Sequence, residues 1–196
     1  MIIFQLLFFL LAWIGSPVWG SAVTPQATVY FSPDDQLEKR LIDLIEKEKK
    51  SIQVCIYTFT HRSIANALID AKKRGVDVEV IVDRFSVKIQ SPLQKLAEAG
   101  IPVFVWDPDR LKRKKAHRPL MHNKFCVFGS DKVWTGSFNF TYEASKIHQE
   151  NALVLQDAPL ASAFKGQFQT IKLRSCIPLG SYVAVQPKKK AIARKK

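Results

Sequence analysis

Acidic side chains are scarce in this sequence. Asp and Glu number 17 against 30 Lys and Arg, a formal net charge of +13. Such a balance argues against a cationic partner and for an anionic one: nucleic acid, an acidic membrane surface or a phosphorylated substrate. Cysteine is scarcer still. The three residues Cys55, Cys126 and Cys176 are an odd set that builds no disulfide framework. Cys55 and Cys126 sit in apolar runs, where a thiol behaves as a small hydrophobe. No second Cys pair exists to build a zinc site, and His117, His122 and Cys126 match no compact zinc spacing, so no metal or cofactor is expected. No long segment recurs, which excludes a repeat architecture.

Nor does any apolar run reach the ~20 residues that span a bilayer. The closest approach is Ile2 to Ile14, broken by Gly15-Ser16-Pro17 and followed by the small residues Gly20, Ser21 and Ala22. This pattern suits a cleaved secretory signal. Residues 1–22 are therefore read as an export signal of a periplasmic or secreted protein. A retained membrane anchor over residues 2–14 is the alternative.

What remains is ample for one globular domain. Apolar residues make up 47% of the 196, enough for a packed core. The expected domain covers residues 23–175, with a basic tail at 176–196. Apolar patterning predicts strands near Thr28–Phe31, Ser51–Phe59, Val76–Val82, Ile101–Trp106, His122–Phe128, Lys132–Thr135 and Glu150–Leu155. Helices are expected from Ser32-Pro33, with Ser32 as the cap, and over Ser63–Arg74, Ser91–Ala99 and Ala158–Leu173. The chain from Ile177 reads as irregular. Strands alternating with helices predict an α/β fold, a mixed β-sheet flanked by helices on both faces.

The positive charge falls in two blocks. One closes the chain: Lys188, Lys189, Lys190, Arg194, Lys195 and Lys196. It reads equally well as solvated charge. The other, Arg110 to Arg118, directly precedes His122 and offers Arg113, Lys114, Lys115 and Arg118 as substrate-binding candidates.

His122 and Lys124 are two apart on an expected strand, which points them to one face. An imidazole beside an ammonium makes a poor core and a good phosphate site. Ser137 and Asn139 repeat the spacing after Gly136, adding short hydrogen-bonding groups for phosphoryl oxygens. A His-x-Lys pair alone arises by chance in many chains. The whole stretch says more: His122-Asn123-Lys124-Phe125-Cys126-Val127-Phe128, then Thr135-Gly136-Ser137-Phe138-Asn139-Phe140-Thr141. It resembles the phospholipase D superfamily, whose motif is His-x-Lys-x-x-x-x-Asp followed by Gly-Ser and Asn. The similarity is greatest to small single-motif bacterial endonucleases with export signals, and extends to the mitochondrial cardiolipin hydrolase branch. Tyr30-Phe31-Ser32-Pro33, Tyr57-Thr58-Phe59-Thr60, Lys72-Lys73-Arg74-Gly75-Val76-Asp77-Val78 and Glu150-Asn151-Ala152 share in it. The departure is Gly129, which stands where the motif aspartate belongs; Asp131 lies two residues beyond.

The resemblance implies a two-step, metal-free phosphodiester cleavage. His122 would attack phosphorus. Lys124 and Asn139 would hold the phosphoryl oxygens, and Ser137 would support them. Glu150 would orient His122 through its second ring nitrogen. Because the family works with paired histidines, one motif implies a homodimer with two His122 facing across the twofold axis. Nonspecific cleavage of DNA or RNA is the leading expectation. Hydrolysis of a phospholipid such as cardiolipin or phosphatidylcholine is the alternative, and a basic nucleic-acid- or membrane-binding protein with a weakened site is the third. Trp106 and Phe138 are candidate base-stacking residues, with core packing as the simpler role. His61 and His148 read as a helix-start residue and a surface residue.

Overall fold

A computed structural model describes residues 26–87, 91–107 and 119–185. The expected export signal, the basic block with Arg113, Lys114, Lys115, His117 and Arg118, and the last eleven residues lie outside the described residues.

Eight strands form one mixed sheet in the order β1-β7-β6-β5-β2-β3-β4-β8. The strands are β1 (Gln26–Phe31), β2 (Ser51–Ile56), β3 (Asp77–Asp83), β4 (Val103–Trp106), β5 (Lys124–Phe128), β6 (Lys132–Gly136), β7 (Asn151–Gln156) and β8 (Cys176–Pro178). The pairs β2–β3 and β3–β4 are parallel; all others are antiparallel. Parallel neighbours need crossovers. These are supplied by α2 (Arg62–Lys73) and α3 (Leu93–Glu98). Gly75 and Gly100 follow these helices at φ 89 and 77, the left-handed geometry that closes a helix and favours glycine.

Alternation along the central strands sorts the side chains into two cores. Ile52, Val54 and Ile56 of β2 face α1 (Leu37–Lys47) and α2 together with Val78, Val80 and Val82 of β3. In α1 the buried residues are Leu37, Leu41 and Ile45, a spacing of four that keeps one stripe inward. Cys55 and Ile81 point the other way, with Phe125, Val127 and Val133, against Ala161, Phe168 and Ile171 of α5 (Ala158–Ser175). Helices thus cover both faces of the sheet, as expected. Phe138 is fully buried in the larger core and Trp106 packs on the smaller one, so both serve packing.

Three expectations change. First, the helix expected from Ser32 starts at Leu37. The Ser32 hydroxyl donates to the His148 carbonyl (2.7 Å) and accepts from the Glu150 amide (3.0 Å), so it is committed to the segment before β7. Second, a short helix α4 (Tyr142–Lys146), capped by the Thr141 hydroxyl on the Ala144 amide, went unread. Third, residues 177–185, expected to be irregular, form regular structure. β8 adds to the β4 edge, and α6 (Leu179–Val185) follows, with Leu179 buried in the larger core.

Candidate active site

One end of the sheet gathers His122, Ser137 and Glu150, singled out in the sequence, with Tyr57 and Asp83. Tyr57 follows β2, Asp83 ends β3, His122 precedes β5, Ser137 follows β6 and Glu150 precedes β7. The strand expected at His122 begins at Lys124, so His122 and Lys124 do not meet through strand alternation. Instead the Lys124 side chain folds back. Its Nζ donates to the His122 carbonyl (2.9 Å) and lies 3.3 Å from Nδ1 and 3.5 Å from Nε2 of the His122 ring.

Lys124 is 7% exposed. Burial lowers its pKa below the ordinary lysine value, against the pull of the Glu150 carboxylate. A partly desolvated ammonium interacts more strongly with an anion than a hydrated one does. The Tyr57 ring lies 4.5 Å from the His122 ring, and the Lys124 ammonium is 5.4 Å from the centre of the Tyr57 ring. His122 itself is exposed.

Asp83 is fully buried and positions this segment from below. Its Oδ2 accepts from the Met121 amide and its Oδ1 from the Phe85 amide, both at 2.9 Å. Burial raises the Asp83 pKa above the ordinary aspartate value, while those two amides, Arg84 and His122 pull it down. The carboxylate fixes the residue immediately before His122. Sequence reasoning missed Asp83. The available signal was an apolar strand, Val78–Val82, that ends in a carboxylate.

The second half of the motif lies on β6 and β7. The Ser137 hydroxyl donates to Glu150 and accepts from the Asn151 amide at 3.0 Å. Sequence reasoning gave Glu150 to the second ring nitrogen of His122; here the carboxylate takes Ser137. Gly136 permits the geometry, because a Cβ there would sit 2.2 Å from the Asn151 carbonyl oxygen. The close approach that the glycine allows is thus to β7. Asn139 precedes Phe140, which bridges to Phe59 beyond β2. Its buried Oδ1 has no hydrogen-bond partner among the described residues.

Gly129 sits at the opposite end of β5, about 17 Å of strand away from the motif's histidine end. Its φ is 52, in the left-handed region. A Cβ added there would lie 3.4 Å from Glu48 Oε2. Glu48 Oε1 in turn accepts from the amides of Lys49, Lys50 and Ser51 at 3.0, 2.6 and 3.3 Å. A carboxylate from another segment thus stands beside the position where the motif aspartate is missing.

Of the three residues weighed against a zinc spacing, His117 lies outside the described residues. Cys126 is fully buried in the larger core, and burial pushes its thiol pKa up. Among the described residues no three His, Cys, Asp or Glu side chains converge.

Comparison with known proteins places the same features in context. Residues 41–172 match the family model "Cardiolipin synthase, PLD-like domain". A phospholipase D of Rickettsia bellii is 35% identical over 146 residues, 74% of this chain and 68% of that protein. A mitochondrial cardiolipin hydrolase of Xenopus tropicalis is 30% identical, over 70% of this chain and 61% of that protein. The chain thus spans about three fifths to two thirds of the length of these curated relatives. Two solved structures are matched over nearly their whole length. Nuc, a phospholipase D family member of Salmonella typhimurium, superimposes with a TM-score of 0.68 at 30% identity, covering 79% of this chain and 97% of that one. NucT of Helicobacter pylori gives 0.72 at 27%, covering 79% and 99%.

Proposed function

Because the chain belongs to the phospholipase D-like family of phosphodiester hydrolases, we propose that it is a metal-independent nuclease that cleaves DNA or RNA through a phosphohistidine at His122. The observation that carries the catalytic part is the contact between Lys124 and His122, a nucleophile held against a desolvated cation. In the first step a His122 ring nitrogen bonds to phosphorus while the bond to the leaving oxygen breaks. Lys124 and Asn139 hold the phosphoryl oxygens as charge redistributes. Ser137 is kept in place by Glu150 and the Asn151 amide. The leaving oxygen needs a proton, and the His122 of a second copy across a twofold axis supplies it. Water then attacks phosphorus, the bond to the His122 nitrogen breaks and frees His122, and the second histidine takes up the proton from water.

The preference for a polyanion rests on the net charge of +13 and on Arg113, Lys114, Lys115 and Arg118 just before His122. A specific observation favours a second reading. Phe31, Leu120, Tyr142 and Ile147 are exposed on segments at the site end, and such a rim suits a phospholipid surface or a second protomer. Residues 1–22 are read as an export signal, with a membrane anchor over 2–14 as the variant that goes with the lipid reading. Among the described residues no helix is long and apolar enough to cross a membrane.

The test is direct. Wild type and His122→Ala are incubated in EDTA with single- and double-stranded DNA, RNA, cardiolipin and phosphatidylcholine. Cleavage of nucleic acid by wild type alone is expected. Activity lost to the chelator contradicts the metal-free step, lipid cleavage alone moves the function to the second reading, and equal behaviour of the two proteins removes His122 from catalysis. A monomer fully active at low concentration contradicts the shared site.

A further inference from the structure

Among the exposed apolar side chains at the site end, Phe85 differs from the rest. It is 45% exposed, and its ring stands edge-on to Tyr57 with centroids 6.2 Å apart. Tyr57 in turn lies 4.5 Å from the His122 ring. A continuous aromatic path thus runs from the attacking residue to solvent. The Arg84 guanidinium sits 5.5 Å from the centre of the Phe85 ring.

The backbone beneath is built to hold this display. Asp83 accepts from the Phe85 amide (2.9 Å). The Ser86 hydroxyl donates to the Tyr57 carbonyl (2.8 Å) and accepts from the Phe59 amide (3.0 Å). Asp83 and Ser86 are both buried. Two buried polar side chains therefore fix a single turn, Arg84–Ser86, that presents a large apolar ring to water. The ring is thus held in one place at the site end, with an aromatic surface open to a planar partner.

We propose that Phe85, supported by Tyr57 and Arg84, is a stacking platform for the nucleobase beside the scissile phosphate. The proposal rests on the nucleic-acid reading above. Three features fit a base better than an acyl chain. The platform is reached from His122 through two ring contacts, of 4.5 and 6.2 Å between centroids. A guanidinium over the ring adds a cation that attracts π-faces and phosphates but repays nothing to a hydrocarbon. Every base has a π-face, so the platform discriminates little among sequences while favouring strands whose bases are not already stacked in a duplex.

A single-stranded oligothymidylate carrying one abasic tetrahydrofuran residue supplies the test, because every other linkage serves as an internal control. The strand is end-labelled, cut by the full chain and read as a ladder. For wild type, the linkage on one side of the abasic residue is expected to be cut roughly tenfold less than the others. Phe85→Ala is expected to lose that dip and Phe85→Trp to keep it. A uniform wild-type ladder overturns the platform and leaves the nuclease standing, whereas no ladder at all overturns both. A dip that persists in Phe85→Ala assigns stacking elsewhere. A Phe85→Ala chain that cuts nowhere makes Phe85 part of the site's fold. Either result overturns the proposal.

Discussion

The two ends of β5 are built on opposite terms. At the Lys124 end, two buried polar groups serve the segment that carries one exposed imidazole, Asp83 under Met121 and Lys124 against His122, with the half-buried Ser137–Glu150 pair on the neighbouring strands. At the Gly129 end, the polar groups close on themselves. Glu48 takes three backbone amides, and the Gly129 amide donates to the Ser51 carbonyl at 2.9 Å. One end keeps unmet capacity, such as Asn139 Oδ1, while the other satisfies a turn. A single strand can therefore carry a family motif whose two halves have separate jobs. The missing aspartate falls at the turn end, beside Glu48, and not at the His122 end.

The sharpest way to break this comparison is to substitute each end of the motif. His122→Ala is expected to lower kcat by roughly 10⁴-fold or more, as removal of a nucleophile does elsewhere, with little change in melting temperature. Gly129→Asp, which restores the family residue, is expected to leave kcat per folded molecule unchanged. It should cost about 1–3 kcal/mol in a denaturant titration, because the new side chain meets a left-handed φ and the Glu48 carboxylate. A rise in kcat with Gly129→Asp would show that the two ends are coupled.

Asp83 tests how the site end is held. Asp83→Ala removes the acceptor for the Met121 and Phe85 amides and is expected to lower kcat by about 10- to 100-fold, with a smaller change in KM. Asp83→Asn keeps one acceptor oxygen and is expected to recover part of the loss. An Asp83→Ala enzyme with normal kcat but a lowered melting temperature would mean that the carboxylate supports only the fold.

How much of this was legible in the sequence follows the same division. The strands and crossover helices were readable because β2 and β3 are central and carry apolar side chains, and because Gly75 and Gly100 mark helix ends. His122, Lys124, Ser137 and Asn139 were singled out by local spacing, and Glu150 only through the family resemblance. Ser32 was misread as a helix cap, since a serine before a proline looks the same whether it caps a helix or binds His148 and Glu150 over a hundred residues away. Asp83 and Tyr57 act on His122 across the sheet, and Glu48 stands beside Gly129 from the far side of β2. No local pattern records such pairings. The β8–α6 segment is short and interrupted by Pro178 and Gly180, which reads as loop, and its pairing with β4 supplies the order.

Glu48→Ala examines the quiet end alone. It frees three amides that a carboxylate now satisfies at the partly solvated start of β2. A loss of about 1–2 kcal/mol is expected, of the size seen when a capping acceptor is removed. The kcat of the folded fraction should match wild type, and a matching fall in kcat would again tie the two ends together.

The smallest expected effect is a pH dependence confined to the site end. His61 is buried, its amide donates to the Phe140 carbonyl, and its Nε2 lies 3.4 Å from Glu38, which also pairs with Lys146 of α4. Burial lowers the His61 pKa below the ordinary 6.5, and Lys146 adds to that; Glu38 and Glu143 oppose it. The folded state therefore holds the neutral ring where the unfolded chain already takes up a proton. Stability from this group is present above 6.5 and is lost as the pH falls from there through the lower folded value. The melting temperature of wild type should drop more steeply on acidification in that window than that of His61→Gln. Because His61 bonds the backbone at Phe140, next to Asn139, protonation should also raise amide hydrogen exchange around Asn139 while leaving the Glu48–Gly129 turn unchanged. Equal slopes for the two proteins would mean that the Glu38 carboxylate already compensates the buried proton, and the pH sensitivity of the site end would have to come from Asp83 and Lys124 instead.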